Sequence, residues 1–214
     1  MFWIVARTLF RTAGEVMITC GVVILLYIVY LLWWTDVVAH RAAAGNVCEL
    51  GRAWAKSESI VPAPGQPFAT IQIPGIRNPE TWPVLDGIKQ PELMQGVGWY
   101  PTTQLPGRAG NFAVAAHRRT WGDMFRYLDE VKAGDKIVVR EGNTVYTYRI
   151  VKDPVYMPAT AVEVLAPIPG RSGLSRPGSY ITLTTCDPVF NAYRRMAVFG
   201  TLESEHTTAS VQVC

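Results

Sequence analysis

The sequence predicts a mostly β domain, a closed barrel or sandwich of about seven or eight short strands, behind one N-terminal membrane helix. Three observations predict this arrangement. A run of apolar residues near the N-terminus carries no charge, many short alternating segments follow it, and 15 prolines and 18 glycines punctuate those segments. Short strands separated by frequent turns are typical of barrels and sandwiches.

The uncharged run, Val16–Thr35, predicts a transmembrane helix. About 20 helical residues cross a hydrocarbon core of about 30 Å, and a run that is apolar on every face does not suit a soluble core helix. Arg7 and Arg11 precede the run and Asp36 follows it, so the basic bias favours a cytoplasmic N-terminus. A signal peptide cleaved near Ala42–Ala44 is the alternative, and the length of the run favours an uncleaved anchor.

The remaining residues divide by composition. A stretch rich in Ala, Gly and Pro follows the anchor and predicts a linker that is partly helical over 49–56. The expected organisation is a cytoplasmic N-terminus (1–15), a transmembrane anchor (16–35), an extracytoplasmic linker (36–67), the β domain (68–203) and a flexible tail (204–214).

Alternating apolar residues predict the strands of the β domain. They occur in FATIQIPGI, ETWPVLDG, NFAVAAH, SYITLTTC and RRMAVFGTLE, and on both sides of a turn at EGN within residues 135–157. Short helices are predicted in PELMQGVGWY, in TAVEVLAP and in TWGDMFRYLDEV, whose Met124, Phe125 and Leu128 share one helical face.

Charge and cysteine usage narrow the function. A net charge of +3 without a dense basic block does not favour nucleic-acid binding. The four cysteines form no C-x-x-C pair and only three histidines are present, so we expect neither a metal nor another cofactor. A disulfide between Cys48 and Cys186 remains open for a domain outside the cell.

Cys186 ends the predicted strand SYITLTTC. By the two-residue period of a strand it shares a face with Thr182 and Thr184, while Ile181 and Leu183 take the other face. A structural thiol is expected on the apolar face, so this position favours a reactive cysteine over a buried core thiol. The reactive form is the thiolate, and a free cysteine has a pKa of about 8.5.

Candidate partners for that thiol lie on two other predicted strands. His117 closes NFAVAAH and is the only histidine inside the predicted β domain, although an isolated histidine is often structural. Arg194 and Arg195 open the strand after Cys186, where a guanidinium can favour a thiolate or stabilise an oxyanion. A solvated arginine pair is the alternative. Asp187 would oppose thiolate formation, because an adjacent carboxylate raises a thiol pKa.

These residues together resemble the sortases, membrane-anchored cysteine transpeptidases of Gram-positive bacteria. The resemblance covers about residues 68–203 and is carried by TLTTC (182–186), by an arginine nine residues after the cysteine, and by the upstream AAH that ends at His117. The form TTC-x-P-x-F-x-A is most similar to the actinobacterial class E group. The resemblance implies a closed eight-stranded β-barrel with short helices.

The resemblance also implies roles for individual residues. Cys186 matches the nucleophile, His117 the catalytic histidine, and Arg195 the catalytic arginine, with Arg194 as the less favoured choice. The sequence departs from the class E pattern at one position, Asp187, where many members have histidine.

Substrate contacts and metal binding follow from the same resemblance. Thr185 matches a position that contacts the sorting motif, and Thr184 is a second candidate for substrate binding. The acidic calcium ligands of some class A members have no counterpart, so no metal site is expected.

The implied reaction cleaves the Thr–Gly bond of an LPxTG or LAxTG sorting signal and transfers the protein to a peptidoglycan-precursor amine. The expected location is a single-pass position in the cell membrane, with sorting-signal peptides and the cell-wall amine as partners. A pilin-polymerising sortase with a lysine acceptor is one alternative, disfavoured here because no second apolar span follows the β domain. A non-catalytic barrel that binds cell-wall ligands is the other, and it would not need a cysteine, a histidine and an arginine together.

Overall fold

A long N-terminal helix and a nine-stranded sheet make up most of the structure. The computed structural model describes residues 2–56, 60–77, 79–187 and 193–208. Its helices are α1 (Phe2–Val29), a π-helical turn (Tyr30–Trp34), α2 (Thr35–Ala55), α3 (Gln90–Leu93) and two 3-10 turns (Leu128–Glu130 and Val162–Leu165). Its strands are β1 (Pro67–Gln72), β2 (Trp82–Asp86), β3 (Val97–Trp99), β4 (Gly110–Ala115), β5 (Lys136–Glu141), β6 (Thr144–Ile150), β7 (Val155–Pro158), β8 (Ser179–Asp187) and β9 (Arg194–Thr207).

Eight of these strands close into a barrel, as the resemblance implied. The strand order is β6-β5-β1-β2-β3-β4-β8-β9-β7, and an additional antiparallel pairing of β6 with β9 closes the ring. The long strand β9 makes this possible, because its C-terminal half pairs with β6 and its N-terminal half pairs with β7. Closure leaves the eight strands of the ring without an unpaired edge.

Strand alternation separates two apolar clusters. Ile181 and Leu183 of β8 point into the barrel with Val198 of β9, among large buried side chains such as Tyr148 and Phe68. The opposite face of β9 carries a smaller cluster, formed by Ala197 and Phe199 with Met157 and Val164. The face of β8 that carries Thr182 and Thr184 is therefore not open to solvent along its whole length, because the second cluster covers part of it.

The prediction of a helix in TWGDMFRYLDEV is wrong. The segment forms turns and ends in the 3-10 turn Leu128–Glu130. Thr120, Trp121 and Asp123 have positive φ angles, which an α-helix cannot contain. Met124 and Leu128 are buried, as their apolar character predicts, but they reach the core from turns. In PELMQGVGWY only Gln90–Leu93 is α-helical, and TAVEVLAP forms a 3-10 turn.

The structure contains one helix long and apolar enough to cross a membrane, within the described residues. This candidate span, Val5–Val29, begins earlier than the predicted Val16–Thr35, and none of its most apolar window is buried against the rest of the molecule. The π-helical turn joins α1 to α2 without a break. The apolar helix and the following residues are thus one continuous helical run.

The predicted linker is mostly the helix α2, which packs on β1 and β2. Its buried residues are spaced three or four apart along the sequence, as on one face of a helix: Ala39, Ala43, Val47, Leu50 and Trp54. Alanines near the start of α2 allow a close approach to the barrel. Near its end, the guanidinium carbon of Arg140 lies over the Trp54 ring, 5.1 Å from the ring centroid. The Ala, Gly and Pro content of this stretch predicted a linker, although its apolar residues have the spacing of one helical face.

Candidate active site

Cys186 and His117 extend from neighbouring parallel strands. β4 pairs with β8 in parallel, with Ala115 beside Thr184. The ladder continues one step further, because the backbone N–H of Ala116 donates to the carbonyl oxygen of Thr184 at 3.2 Å. Two residues beyond the last paired positions are His117 and Cys186, so the parallel pairing brings them to the same edge of the sheet.

Arg195 lies opposite Cys186 on the next strand. In the antiparallel pair of β8 and β9, Cys186 pairs with Arg195 and Asp187 pairs with Arg194. Directly paired residues have Cα atoms about 4.5–5.5 Å apart and project to the same face. The guanidinium of Arg195 therefore shares its face with the thiol, whereas Arg194 shares the other face with Asp187.

Arg194 is engaged away from the thiol. Its Nε donates to Oδ2 of Asp187 at 2.5 Å, and its guanidinium lies 4.8 Å from the ring centroid of Tyr156. Nη1 of Arg195 donates to the backbone carbonyl oxygen of Arg194 at 3.2 Å. The pairing of the two strands thus separates two adjacent arginines that the sequence alone could not rank from their spacing.

Asp187 forms a buried ion pair with the residue after His117. The Asp187 side chain is buried, and its Oδ1 accepts a hydrogen bond from Nη1 of Arg118. Arg118 is also buried, and its Nη2 lies 2.9 Å from Oδ2 of Asp129. Two guanidinium groups, those of Arg118 and Arg194, therefore compensate the carboxylate that adjoins Cys186 in sequence.

Sequence reasoning missed Arg118. A signal was present, because Arg118 follows His117 by one residue and Asp187 follows Cys186 by one residue. When the ends of β4 and β8 place His117 beside Cys186, they also place Arg118 beside Asp187, on the face opposite to the thiol. The ion pair ties the two strands together directly beside the candidate catalytic residues.

Thr184 and Thr185 bond the two strands together. The Thr184 hydroxyl donates to the carbonyl oxygen of Val114 at 3.1 Å and lies 3.2 Å from the hydroxyl of Tyr100. The Thr185 hydroxyl donates to the carbonyl oxygen of Ala116 at 2.8 Å. Both threonines are buried and hold β8 against β4. A contact between them and a substrate stays a prediction.

His117 lies in a site that favours its neutral form. Burial lowers the pKa of the imidazole below its ordinary value of 6.5, and the negative charge of Asp123 acts in the opposite direction. Its Nε2 is buried and has no hydrogen-bond partner among the described residues. A half-buried imidazole with an unused ring nitrogen is suited to exchange a proton with a bound group.

Cys186 is a free thiol with a partly exposed side chain. The disulfide considered between Cys48 and Cys186 is therefore excluded. Cys20 is also a free thiol. Within the described ranges, no group of three or more His, Cys, Asp or Glu side chains could hold a metal ion.

We predict that Asp187→Ala lowers the free energy of unfolding by about 3 kcal/mol, because it leaves the Arg118 guanidinium buried without its main counter-charge. Denaturant unfolding of the full chain measures this loss. Asp153→Ala is the matched control, since the Asp153 side chain is 64% exposed and lies 3.9 Å from Lys132. An equal effect of the two substitutions would contradict a stabilising role for the ion pair.

A pH effect on stability follows from His117. Because burial lowers its pKa in the folded chain, the unfolded chain binds more protons below about pH 6.5. The stability that the neutral imidazole contributes is present at neutral pH and is lost as the pH falls below that value. The free energy of unfolding should decrease more between pH 7.5 and pH 5 for the wild type than for His117→Gln. If the free energy of unfolding changed with pH in the same way in both proteins, burial would not lower the pKa of His117.

Known proteins with similar sequences carry the same kind of domain. The sortase domain family matches residues 71–203, more than half of the chain. Sortase SrtE1 of Streptomyces coelicolor is 39% identical over 205 residues, covering 91% of this chain and 57% of that protein. Sortase SrtE2 of the same organism is 36% identical over 206 residues, covering 88% of this chain and 80% of that protein.

Solved structures agree with the sequence comparisons. The structure of sortase E from Streptomyces avermitilis has a TM-score of 0.63 at 41% identity, covering 68% of this chain and 93% of that one. Sortase E1 from Streptomyces coelicolor, solved with a tripeptide in the active site, has a TM-score of 0.63 at 36% identity, covering 69% of this chain and 94% of that one. This chain belongs to the sortase family, and its relatives support class E.

Proposed function

We propose that this chain is a membrane-anchored cysteine transpeptidase that cleaves the Thr–Gly bond of an LAxTG or LPxTG sorting signal and transfers the protein to a cell-wall amine. The observation that carries the proposal is the pairing of β4, β8 and β9. It brings His117, two residues after the end of β4, to the same edge of the sheet as Cys186 of β8 and Arg195 of β9. These residue types are the ones that acyl transfer through a thioester requires.

The first half of the reaction forms the thioester. The Cys186 thiolate attacks the threonine carbonyl carbon, and a C–S bond forms while the carbonyl oxygen takes up negative charge. Arg195, on the same face as the thiol, donates to that oxyanion. The C–N bond to glycine then breaks, and His117 gives the departing glycine amine the proton that it accepted when the Cys186 thiol became the thiolate.

The second half releases the product. The amine of a peptidoglycan precursor attacks the thioester carbon and forms a new amide bond. His117, now neutral, accepts the proton that the amine loses, and the Cys186 thiolate leaves. The lowered pKa of His117 supports the proton-accepting step, because the neutral imidazole is available at neutral pH.

The membrane helix supports the proposed location. Arg7 and Arg11 precede the uncharged run Val16–Thr35 and lie in the N-terminal part of the candidate span Val5–Val29, and a basic bias at this end favours a cytoplasmic N-terminus. The β domain would then lie outside the membrane, where both the sorting signal and the cell-wall amine are present. A relative solved with a tripeptide in its active site supports binding of a short peptide here as well.

Cys186→Ala is predicted to reduce cleavage of an LAxTG peptide by at least about 10³-fold, because alanine offers no nucleophile. Cleavage is followed by mass spectrometry with a panel of LAxTG and LPxTG peptides and an added amine. Cys20→Ser is the matched control, since Cys20 is the other free cysteine among the described residues and lies exposed on the apolar helix. Retained activity in Cys186→Ala would overturn the proposal.

The two arginines should differ in effect. Arg195→Ala is predicted to lower kcat/KM by about 10²-fold or more, since it removes the guanidinium that faces the thiol. Arg194→Ala removes a contact to Asp187 on the other face and should lower kcat/KM by less than about tenfold. Peptide-cleavage kinetics of both variants decide the assignment. The reverse order would give the catalytic role to Arg194.

A further inference from the structure

A left-handed turn follows His117 along the chain. Thr120, Trp121 and Asp123 have φ angles of 63°, 54° and 50°, and Gly122 among them has a φ of 91°. This conformation is unfavourable for residues that carry a Cβ atom, and it is rare in consecutive residues. Such a turn persists only where the surrounding structure holds it.

The start of α2 holds this turn. The backbone N–H of Gly122 donates to Oδ1 of Asp36 at 3.0 Å, across 86 residues of sequence. A Cβ atom at Gly122 would lie 2.9 Å from the Trp82 ring and 3.4 Å from the Cβ atom of Ala39. The backbone of the turn therefore lies tightly against both α2 and β2, and the carboxylate of Asp36 satisfies a donor that is buried there.

The same turn is bonded back to His117. The backbone N–H of Phe125 donates to the carbonyl oxygen of His117 at 3.0 Å, and the N–H of Asp123 donates to the carbonyl oxygen of Thr120 at 3.3 Å. The side chains of Met124 and Phe125 are buried in the barrel core. His117 is thus at the base of a closed loop whose far side is bonded to α2.

Asp36 lies in the first turn of α2, directly after the π-helical turn that continues the apolar helix. Thr35, the residue before it, is buried, and its hydroxyl donates to the carbonyl oxygen of Leu31 at 2.8 Å. The carboxylate of Asp36 is consequently held where the anchor meets the barrel.

We propose that Asp36 is a positioning residue for His117, because its carboxylate holds the left-handed turn that closes the histidine's loop. The membrane anchor then contributes a contact to the framework of the active site. The inference rests on the acid–base role proposed above for His117. Since the hydrogen bond of Asp36 is to the loop that begins at His117, its loss affects the proton transfers, and hence kcat, more than peptide binding.

The test uses the full chain in detergent micelles and three variants. Asp36→Ala lowers kcat for the sorting-signal peptide about tenfold, leaves KM within about twofold, and speeds hydrogen exchange of the Gly122 amide. Asp36→Asn keeps an oxygen acceptor at the same place without the charge, and retains a kcat within about threefold of the wild type. Glu49→Ala changes neither quantity, because Glu49 is an exposed carboxylate of the same helix.

Each outcome decides the inference. It is overturned if Asp36→Ala keeps the wild-type kcat, if Gly122 exchanges at the wild-type rate in that variant, or if Asp36→Asn is as impaired as Asp36→Ala. Should Asp36→Ala fail to fold, a folded Asp36→Asn with a protected Gly122 amide supports the inference, and a folded one with an unprotected amide overturns it. Hydrogen exchange of the Gly122 amide is measured without substrate. An inactive wild type would therefore refute the transpeptidase proposal, while the exchange measurement would still test the contact with Asp36.

Discussion

The parallel pairing of β4 with β8 is the constraint on which the candidate site depends. Parallel neighbours end at the same edge of a sheet, so residues at equal distance beyond the last pair, Ala115 and Thr184, come together. His117 and Cys186 are such residues. A shift of one residue in this pairing would turn the imidazole to the face opposite to the thiol. The Thr185 hydroxyl, which donates to the carbonyl oxygen of Ala116 directly after β4, helps to prevent that shift.

The buried pair of Arg118 and Asp187 acts on the same alignment. A buried ion pair adds little net stability compared with apolar side chains of the same size, but removal of one partner is strongly unfavourable. Any other alignment of the strand ends would separate these charges inside the protein. The pair therefore disfavours alternative alignments of the two strand ends.

The long N-terminal helical run is part of the framework of the β domain. α1, the π-helical turn and α2 form one helical run, and the buried stripe of α2 packs on β1 and β2. This arrangement sets the orientation of the barrel relative to the apolar helix α1, the candidate membrane span. The bond from Gly122 to Asp36 extends that contact to the loop of His117. In a flexible linker, by contrast, no residue near the membrane would have a defined place beside the site.

The closed eight-stranded barrel was implied by the family resemblance. The sequence patterns by themselves determined most of the strands, though not β3, together with a barrel-or-sandwich architecture, the apolar N-terminal helix and the candidate residues His117 and Cys186. These features follow from local patterns, namely alternation, an uncharged run and a motif within one segment, and local patterns do not require knowledge of the chain's distant partners. Arg195 was favoured over Arg194 only by resemblance, because two adjacent residues on a strand differ in the face they occupy and not in their chemistry.

Only the tertiary structure decided the rest. The turn at residues 120–123 contradicted its helical pattern, because its left-handed backbone depends on Asp36 and Trp82, far away in sequence. The compensation of Asp187 by Arg118 likewise depends on the pairing of β4 with β8. In both cases the deciding energy comes from contacts between distant segments, and such contacts leave no periodic signal in the sequence of either segment.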